Sequence, residues 1–273
     1  MLLITGSSGQ LGAELAKLLP DALLTDVKSL DITDSAAVTA FVKEHNIDTI
    51  INCAAYTAVD KAEDEPDLAR KINVQGPENL AKTGCKIVHI STDYVFDGRG
   101  YKPYQPEDAA CPVSVYGQSK LDGEKAVLAN AQIAVVIRTA WMYSPYGNNF
   151  VKTIRRFGAE KEQINVVCDQ IGTPTSAADL AAAIVQILPQ MSEANKGIYH
   201  FTDEGVCSWY DFAQEIIAQS GLECKVLPIA SGAYPSKAKR PFYSVLDKSK
   251  IKRTFNLTIP YWKESLAKCL KQF

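Results

Sequence analysis

The chain has 273 residues, of which 47% are hydrophobic and 22% are charged, proportions that are ordinary for a globular protein. Its 29 basic and 31 acidic side chains give a net charge of −2, so no overall positive field draws it to nucleic acid or anionic membranes. The seven cysteines and three histidines are scattered without metal-ligand spacing, so we expect no metal site. No apolar run reaches the ~20 residues of a membrane span, and no charged leader precedes the first motif. We therefore expect a cytoplasmic protein without a membrane segment.

Short apolar runs alternate with amphipathic stretches through the first half of the chain. The runs predict strands at 2–5, 22–25, 48–55, 86–91 and 133–138, with helices near 10–19, 35–46, 66–83 and 114–130. The third helical pattern contains Gly76-Pro77, where we expect it to be divided. Continuously apolar strands separated by helices indicate a parallel sheet covered on both faces. The sequence thus predicts an α/β fold with a Rossmann-type doubly wound parallel sheet, whose ligands bind beyond the carboxyl ends of the strands.

The pattern changes after about residue 145, where loops become rich in glycine, proline and aromatic residues, as in "YSPYGNNF" and "SGAYPSKAKRPFY". We predict a dinucleotide-binding Rossmann domain over 1–150 and a smaller C-terminal α/β substrate-binding lobe over 151–273. The helical pattern near 176–188 is compatible with a return to the first domain.

The segment "LLITGSSGQLG" places three glycines, Gly6, Gly9 and Gly12, between an apolar strand and a helix. Glycine allows the tight turn, the approach of the backbone to a pyrophosphate and close packing of helix on strand. This context predicts a dinucleotide site at the amino end of the helix. Asp26 follows the second strand and suits the ribose hydroxyls of NADH, whereas Lys28 suits the 2′-phosphate of NADPH. The cofactor is therefore predicted as NADPH or NADH.

The segment "SVYGQSKLDGEK" carries Tyr116 and Lys120 four residues apart, about one helical turn on the same face. Two readings are open from this spacing alone: a catalytic pair, or two neighbours on the solvent face of a helix. A catalytic tyrosine would supply a proton, and a nearby ammonium is expected to lower the pKa of its phenol.

The succession of "GSSGQLG", "INCAAYTAVDKAE", "HISTDYVFDG" and "YGQSK" resembles the extended short-chain dehydrogenases/reductases. Together with "RTAWMYSPYGNNFV", "DQIGTPT" and "YPSKAKRPFYSVLD", it resembles more narrowly the dTDP-4-dehydrorhamnose reductase family over nearly the whole chain. The resemblance implies Thr92, Tyr116 and Lys120 as the catalytic residues. For Thr92, capping of the strand-to-loop turn is the alternative role.

The resemblance and the glycine motif together give a cofactor-binding set. Its members are Gly6, Ser8, Gly9, Gln10, Leu11, Gly12, Asp26, Asp31, Ile32, Ala54, Ala55, Tyr56, Tyr116 and Lys120. Asn73 is a candidate for supporting the 54–57 segment from a helix.

The substrate-binding set implied by the resemblance is Thr92, Asp93, Tyr94, Trp141 and Arg240. Arginine grips phosphate oxygens in a bidentate manner, so Arg240 is expected on the diphosphate of a sugar nucleotide, with a solvated loop as the alternative. Trp141 is expected to wall the sugar or else to anchor the core. Phe150, Tyr146 and Tyr234 are candidates for stacking on thymine.

The implied activity is NAD(P)H-dependent reduction of the C4 ketone of dTDP-4-dehydro-L-rhamnose. Alternatives are a non-catalytic nucleotide-binding regulatory subunit like that of methionine adenosyltransferase, a ketoreductase for a different 4-keto deoxysugar nucleotide, or a sugar-nucleotide epimerase or dehydratase. The expected partner is a dTDP-sugar, and the chain is expected to be a monomer or homodimer. Some family members hold a bridging magnesium through glutamates; Glu14 matches one such position, but "SAADLA" has aspartate where glutamate is expected, so Glu14 is interpreted as a solvated surface charge.

Overall fold

Six strands form one parallel sheet, in the spatial order β10-β5-β4-β3-β1-β2. The computed structural model describes residues 1–273. In chain order the strands are β1 (Leu2–Thr5), β2 (Leu23–Thr25), β3 (Thr49–Asn52), β4 (Lys86–Thr92), β5 (Ala134–Thr139), β6 (Met142–Tyr143), β7 (Gln163–Val167), β8 (Ile171–Gly172), β9 (Thr175–Ser176), β10 (Gly197–His200), β11 (Cys207–Ser208) and β12 (Lys225–Ile229). The predicted doubly wound parallel sheet is confirmed.

Helices cover both faces of this sheet and build most of the second lobe. They are α1 (Gln10–Leu18), α2 (Ser35–Glu44), α3 (Val59–Ala62), α4 (Pro66–Arg70), α5 (Gly76–Ala81), α6 (Val115–Asn130), α7 (Phe150–Glu160), α8 (Ala177–Ile187), α9 (Trp209–Gln219), α10 (Ser249–Phe255) and α11 (Trp262–Leu270). None of these helices is long and apolar enough to cross a membrane.

The core lies in two layers because successive residues of a strand point to opposite faces of the sheet. Ile4 and Ile51 belong to the layer that contains α1 and α8. Their neighbours Leu3 and Ile50 belong to the layer that contains α2, α5 and α6. All four side chains are fully buried, which explains why the strands read as continuous apolar runs.

The second lobe has its own core around Phe212 and Trp262. There β7 pairs with β12 in parallel, and β8 pairs with β11 in antiparallel fashion. Two later elements lie with the large sheet: α8 packs on α1, and β10 pairs with β5 at the sheet edge. The chain therefore leaves the Rossmann sheet after β5 and returns to it with α8 and β10, which follow one another along the chain.

The helical stretch from Pro66 to Ala81 is continuous, so the expected division at Gly76-Pro77 is wrong. A π-helical turn at Lys71–Gln75 joins α4 to α5, and Gly76 keeps helical angles. Pro77 cannot donate a backbone hydrogen bond, and the wider turn accommodates this loss. The carbonyl of Asn73 then faces α6 so closely that a Cβ atom on Gly123 would lie 2.1 Å from its oxygen.

Candidate active site

The glycine loop after β1 forms a cradle that fits a dinucleotide pyrophosphate. Gly6 has a φ of +66°, and a Cβ atom there would lie 2.6 Å from the backbone nitrogen of Ala54. A Cβ atom on Gly12 would lie 2.5 Å from the carbonyl oxygen of Gly6. Helix α1 has no side-chain cap and no acidic residue in its first turn, so its amide groups are free to bind phosphate.

The other predicted cofactor residues lie along the carboxyl edge of the same sheet. Asp26 follows β2, and its Oδ1 accepts a 2.9 Å hydrogen bond from the amide of Lys28. Asp31 accepts hydrogen bonds from the amide and hydroxyl of Thr33, and these bonds lower its pKa. Ile32 is buried against Gly76. Asp26 and Lys28 thus share one turn.

The loop after β3 is held in place by Asn73. Its Oδ1 accepts from the amide of Tyr56 at 2.8 Å, and its Nδ2 donates to the Tyr56 carbonyl at 3.1 Å. The same Nδ2 donates to the hydroxyl of Ser119, which in turn donates to the carbonyl of Tyr116. The Ala54–Tyr56 loop and the first turns of α6 are therefore connected through one buried amide.

Tyr116 and Lys120 lie on the inner face of α6, so the solvent-face reading of this pair is wrong. Tyr116 is 9% exposed and Lys120 is 2% exposed. The helix begins after Ser114, whose hydroxyl accepts from the amide of Gly117. Lys120 Nζ donates to the carbonyl of Ile90 at 2.6 Å. Burial lowers the pKa of Lys120 to about 8, although Glu124 opposes the shift.

The phenol of Tyr116 keeps its proton. Burial raises its pKa well above the ordinary value, and a hydrogen bond with Thr92 only partly offsets this effect. The expectation that Lys120 lowers the pKa of this phenol is therefore wrong here, since its ammonium is directed to the backbone of β4. A protonated phenol is the form that can donate to a developing alkoxide.

Thr92 ends β4 next to this phenol, and its hydroxyl makes two further contacts. It accepts from the amide of Tyr94 at 3.2 Å and donates to Oδ1 of Asp93 at 3.0 Å. The turn-capping role is thus real, and it coexists with the contact to Tyr116. Asp93 is 2% exposed, and burial raises its pKa to about 6.

A buried ion pair lies next to Tyr116 and Lys120, and the sequence analysis did not predict it. Arg138 on β5 donates to both carboxylate oxygens of Glu124 on α6, at 2.9 and 2.7 Å. The hydroxyl of Ser91 on β4 also donates to Glu124. These contacts fix α6 to β4 and β5 one turn after Lys120. In the structure the two residues stand out because their charged side chains are buried. Neither belongs to a short sequence motif that could have revealed the pair.

Trp141 lies at the junction of the two lobes in a strained conformation. Its φ is +48°, which is rare for a bulky residue. Its ring stacks on Trp209 of α9, with 3.6 Å between centroids, and a Cβ atom on Gly172 would lie 2.8 Å from it. Phe150 packs on Trp209 as well. Trp209 was missed because it lies 68 positions along the chain from its stacking partner.

The other two thymine candidates lie elsewhere. The ring of Tyr146 faces Lys17 of α1 at 4.7 Å, on the side of the glycine helix. Tyr234 is 54% exposed. Of the three aromatic candidates, only Phe150 joins the stacked indoles at the lobe junction.

Arg240 belongs to a segment, residues 231–242, that contacts α3. Its Nη2 donates to Asp60 at 2.8 Å, and its Nη1 lies 3.4 Å from the hydroxyl of Tyr94. Lys237 pairs with Asp64 in the same way. The guanidinium thus reaches the cleft beside Tyr94 but is bound to a carboxylate, so a diphosphate would have to share or displace that partner.

Glu14 is buried, so its interpretation as a solvated charge is wrong. It is 4% exposed and pairs with Lys17 at 2.9 Å. It lines a cavity of about 40 Å³ together with Asp179 of α8 and Ser265 of α11. Packing of α8 and α11 over this end of α1 covers the carboxylate. No group of three or more metal-ligating side chains is arranged to hold a metal ion.

Comparison with known proteins agrees with this geometry. The sequence profile of the family described as "RmlD substrate binding domain" matches residues 1–273. The chain is 42% identical over 283 residues to a dTDP-4-dehydrorhamnose reductase of Aggregatibacter actinomycetemcomitans, with 97% of the chain and 96% of that relative covered.

Solved structures give the same result. The crystal structure of a dTDP-4-dehydrorhamnose reductase from Clostridium acetobutylicum matches with a TM-score of 0.95 and 45% identity, over 99% of this chain and 98% of that one. The dTDP-4-dehydrorhamnose reductase of Bacillus anthracis, solved in complex with NADP, matches with a TM-score of 0.95 and 40% identity, over 100% and 99% of the two chains.

Proposed function

The chain belongs to the dTDP-4-dehydrorhamnose reductase family, and we propose that Thr92, Tyr116 and Lys120 carry out the reaction of that family in this protein. The reaction is the NAD(P)H-dependent reduction of the C4 ketone of dTDP-4-dehydro-L-rhamnose, which gives dTDP-L-rhamnose. The observation that carries the proposal is that Thr92 and Tyr116 contact each other at the carboxyl end of β4, and that Lys120, one turn along α6, is buried against the same strand.

Each of the three residues has a role that follows from its surroundings. The nicotinamide supplies a hydride to the C4 carbon, and Tyr116 supplies the proton to the oxygen. The high pKa of the buried phenol keeps that proton available until the alkoxide develops. Thr92 binds the ketone oxygen through its hydroxyl, and Lys120 holds a ribose hydroxyl of the cofactor.

The division of labour follows the two lobes. We assign cofactor binding to the first 150 residues, where Gly6, Gly9 and Gly12 form the phosphate cradle. We assign the sugar nucleotide to the cleft between this domain and the second lobe, whose core surrounds Phe212 and Trp262. Trp141, stacked on Trp209, supports an apolar wall for the deoxysugar, and Arg240 supports contact with the diphosphate.

The reductase reading is favoured over a dehydratase or a regulatory subunit by the contents of the β4 turn. Asp93 is followed by Tyr94, whose hydroxyl is directed to Arg240, so the turn offers no second carboxylate for elimination chemistry. Thr92 provides the hydroxyl that a ketone oxygen needs.

The test is the oxidation of NADPH and of NADH by the purified protein with enzymatically generated dTDP-4-dehydro-L-rhamnose, followed by identification of the product. We expect dTDP-L-rhamnose and consumption of one equivalent of cofactor, with slower turnover of the 4-keto sugar that has not been epimerised. Tight cofactor binding without turnover of either sugar would contradict the proposal and favour the regulatory reading.

A further inference from the structure

The hydroxyl of Thr92 carries one hydrogen, and two acceptors compete for it. In the structure it donates to Oδ1 of Asp93 at 3.0 Å. Its oxygen meanwhile accepts from the amide of Tyr94 at 3.2 Å and interacts with the phenol of Tyr116. A ketone oxygen placed next to Thr92 can receive a hydrogen bond from it only if the hydroxyl turns away from Asp93.

The groups around Asp93 leave the outcome of this competition to the protonation state of its own carboxyl group. Its second oxygen, Oδ2, is buried and has no hydrogen-bond partner. The groups that face it are the hydroxyls of Thr92 on β4 and Ser244, and the phenols of Tyr94 and Tyr116.

No cation is in contact with this carboxyl group. The guanidinium of Arg240 contacts Tyr94 rather than Asp93, and it is itself paired with Asp60. A carboxylate in such a place is stabilised only by hydroxyl and amide donors, so protonation is an accessible alternative.

We propose that Asp93 is a positioning residue for the reduction: protonated, it donates to the oxygen of Thr92 and frees the Thr92 hydrogen for the substrate ketone, whereas ionised, it holds that hydrogen for itself. This inference rests on the proposed function, because it requires Thr92 to bind the ketone. Asp93 neither gives nor takes a proton in the net reaction; its proton remains on the carboxyl group while Tyr116 protonates the alkoxide.

The pKa of Asp93, raised to about 6 by burial, places the switch inside an experimentally accessible range. The sign follows from the hydrogen-bond count. As pH rises through the pKa, the ionised carboxylate captures the Thr92 hydrogen and kcat/KM falls. A bound ketone favours the protonated acid, so the same fall in kcat lies at higher pH than the fall in kcat/KM.

The experiment is a pH profile of kcat/KM for the wild type, Asp93→Asn and Thr92→Val, with NADPH and dTDP-4-dehydro-L-rhamnose. For the wild type we expect a decline of up to roughly 20-fold between about pH 5.5 and about pH 7.5, which is the change in protonated fraction for a pKa near 6. An asparagine amide donates to Thr92 as the acid does but does not ionise. Asp93→Asn should therefore lose this decline and keep a later one near pH 8 from Lys120.

The readout is the ratio of rates within one variant, so a lower absolute activity does not obscure it. Thr92→Val removes the hydroxyl and should also lose the decline near pH 6, from a lower starting rate. A decline of unchanged size and position in Asp93→Asn would overturn the inference. Failure of the wild type to oxidise NADPH at any pH would instead overturn the proposed function.

A second readout does not depend on turnover. The carboxyl carbon resonance of Asp93, assigned in ¹³C-aspartate-labelled protein by its loss in Asp93→Asn, should titrate near pH 6. Thr92→Val should shift that titration upward, because the ionised form then loses a hydrogen bond. An Asp93 resonance that is ionised throughout the range down to about pH 4.5 would overturn the inference whatever the kinetic profile shows.

Discussion

The two sides of the cleft are built differently. On the sheet side, Tyr116 and Lys120 are buried and fixed by α6, β4 and the Glu124–Arg138 ion pair. On the opposite side, the 231–242 segment is held by surface ion pairs, in which Arg240 and Asp60 keep 31% and 45% of their side-chain surface exposed. Loss of one partner from a buried pair is strongly destabilising, because it leaves a buried charge without its partner, whereas exposed pairs contribute little to stability.

We interpret this difference as a separation between the residues that carry out the reaction and those that bind the substrate. Residues on the sheet side are buried and held by several elements, and we propose that they act on the reacting atoms, so changes there should reduce kcat or the stability of the fold. We propose that the 231–242 segment contributes only to binding of the sugar nucleotide, so changes there should mainly raise KM. The following predictions test this contrast, beginning with the largest expected effect.

Removal of the proton donor should have the largest effect. Tyr116→Phe deletes one hydroxyl on the sheet side and should lower kcat by roughly 10³-fold, because general acid catalysis is lost while the apolar ring still packs. NADPH oxidation measures the rate, and fluorescence titration of NADPH checks that the cofactor still binds. Tyr101→Phe, at an 84% exposed ring, is the matched control. Activity within a factor of ten of the wild type would refute the assigned role.

Breaking the buried ion pair should strongly destabilise the sheet side. Glu124→Gln leaves Arg138 charged and without its carboxylate partner, at a site where both side chains are at most 2% exposed. We expect the free energy of unfolding to fall by about 3–5 kcal/mol. The control, Glu78→Gln, removes an exposed partner of Lys82 and should change it by less than about 1 kcal/mol. Equal losses in denaturant unfolding would show that the buried pair is not special.

Lys120 should lower the stability of the fold while it supports activity. Burial lowers the pKa of Lys120 from 10.5 to about 8. Below about pH 8 this side chain is protonated in both the folded and the unfolded chain, so the buried ammonium lowers the free energy of unfolding there. Wild-type stability should therefore rise as pH increases from about 8 towards 10.5. At neutral pH, Lys120→Met should raise the free energy of unfolding by about 2 kcal/mol, after loss of the hydrogen bond to Ile90, and abolish most activity.

Denaturant unfolding of the methionine variant measures this effect. The control is Lys125→Met, on the same helix but 67% exposed, which should shift stability by no more than about 0.5 kcal/mol. A Lys120→Met protein that is less stable than the wild type at neutral pH would contradict the burial argument.

The smallest effect is expected on the opposite side of the cleft. Arg240→Ala should raise KM for the sugar nucleotide by roughly 10-fold with kcat changed less than about twofold, because a phosphate contact is lost without disturbing Tyr116. Lys237→Ala, in the same segment, should leave both constants nearly unchanged. A fall in kcat as large as that of Tyr116→Phe would erase the distinction between the two sides.

The sequence predicted the sheet side well because its signals are local. Apolar runs mark the strands, three glycines mark the phosphate loop, and four-residue spacing puts Tyr116 and Lys120 on one face. The π-turn before Pro77 was not predicted, since proline ordinarily interrupts a helix.

Contacts between distant parts of the chain could not be predicted in the same way. The Trp141–Trp209 stack, the Arg240–Asp60 pair and the burial of Glu14 under α8 and α11 each need the tertiary arrangement. The direction of the Tyr116 pKa was misjudged for a related reason: burial raises this pKa, the Lys120 ammonium is directed to the backbone of β4, and a four-residue spacing reveals neither fact.

The most direct test of the central claim follows the hydride itself. NADPH deuterated at either face of C4 of the nicotinamide would be supplied with dTDP-4-dehydro-L-rhamnose, and the product examined by NMR. We predict deuterium at C4 of the rhamnosyl product from one face only, with none elsewhere on the sugar, and almost no labelled product from Tyr116→Phe. Label that is absent from C4, or an equally labelled product from Tyr116→Phe, would contradict the account.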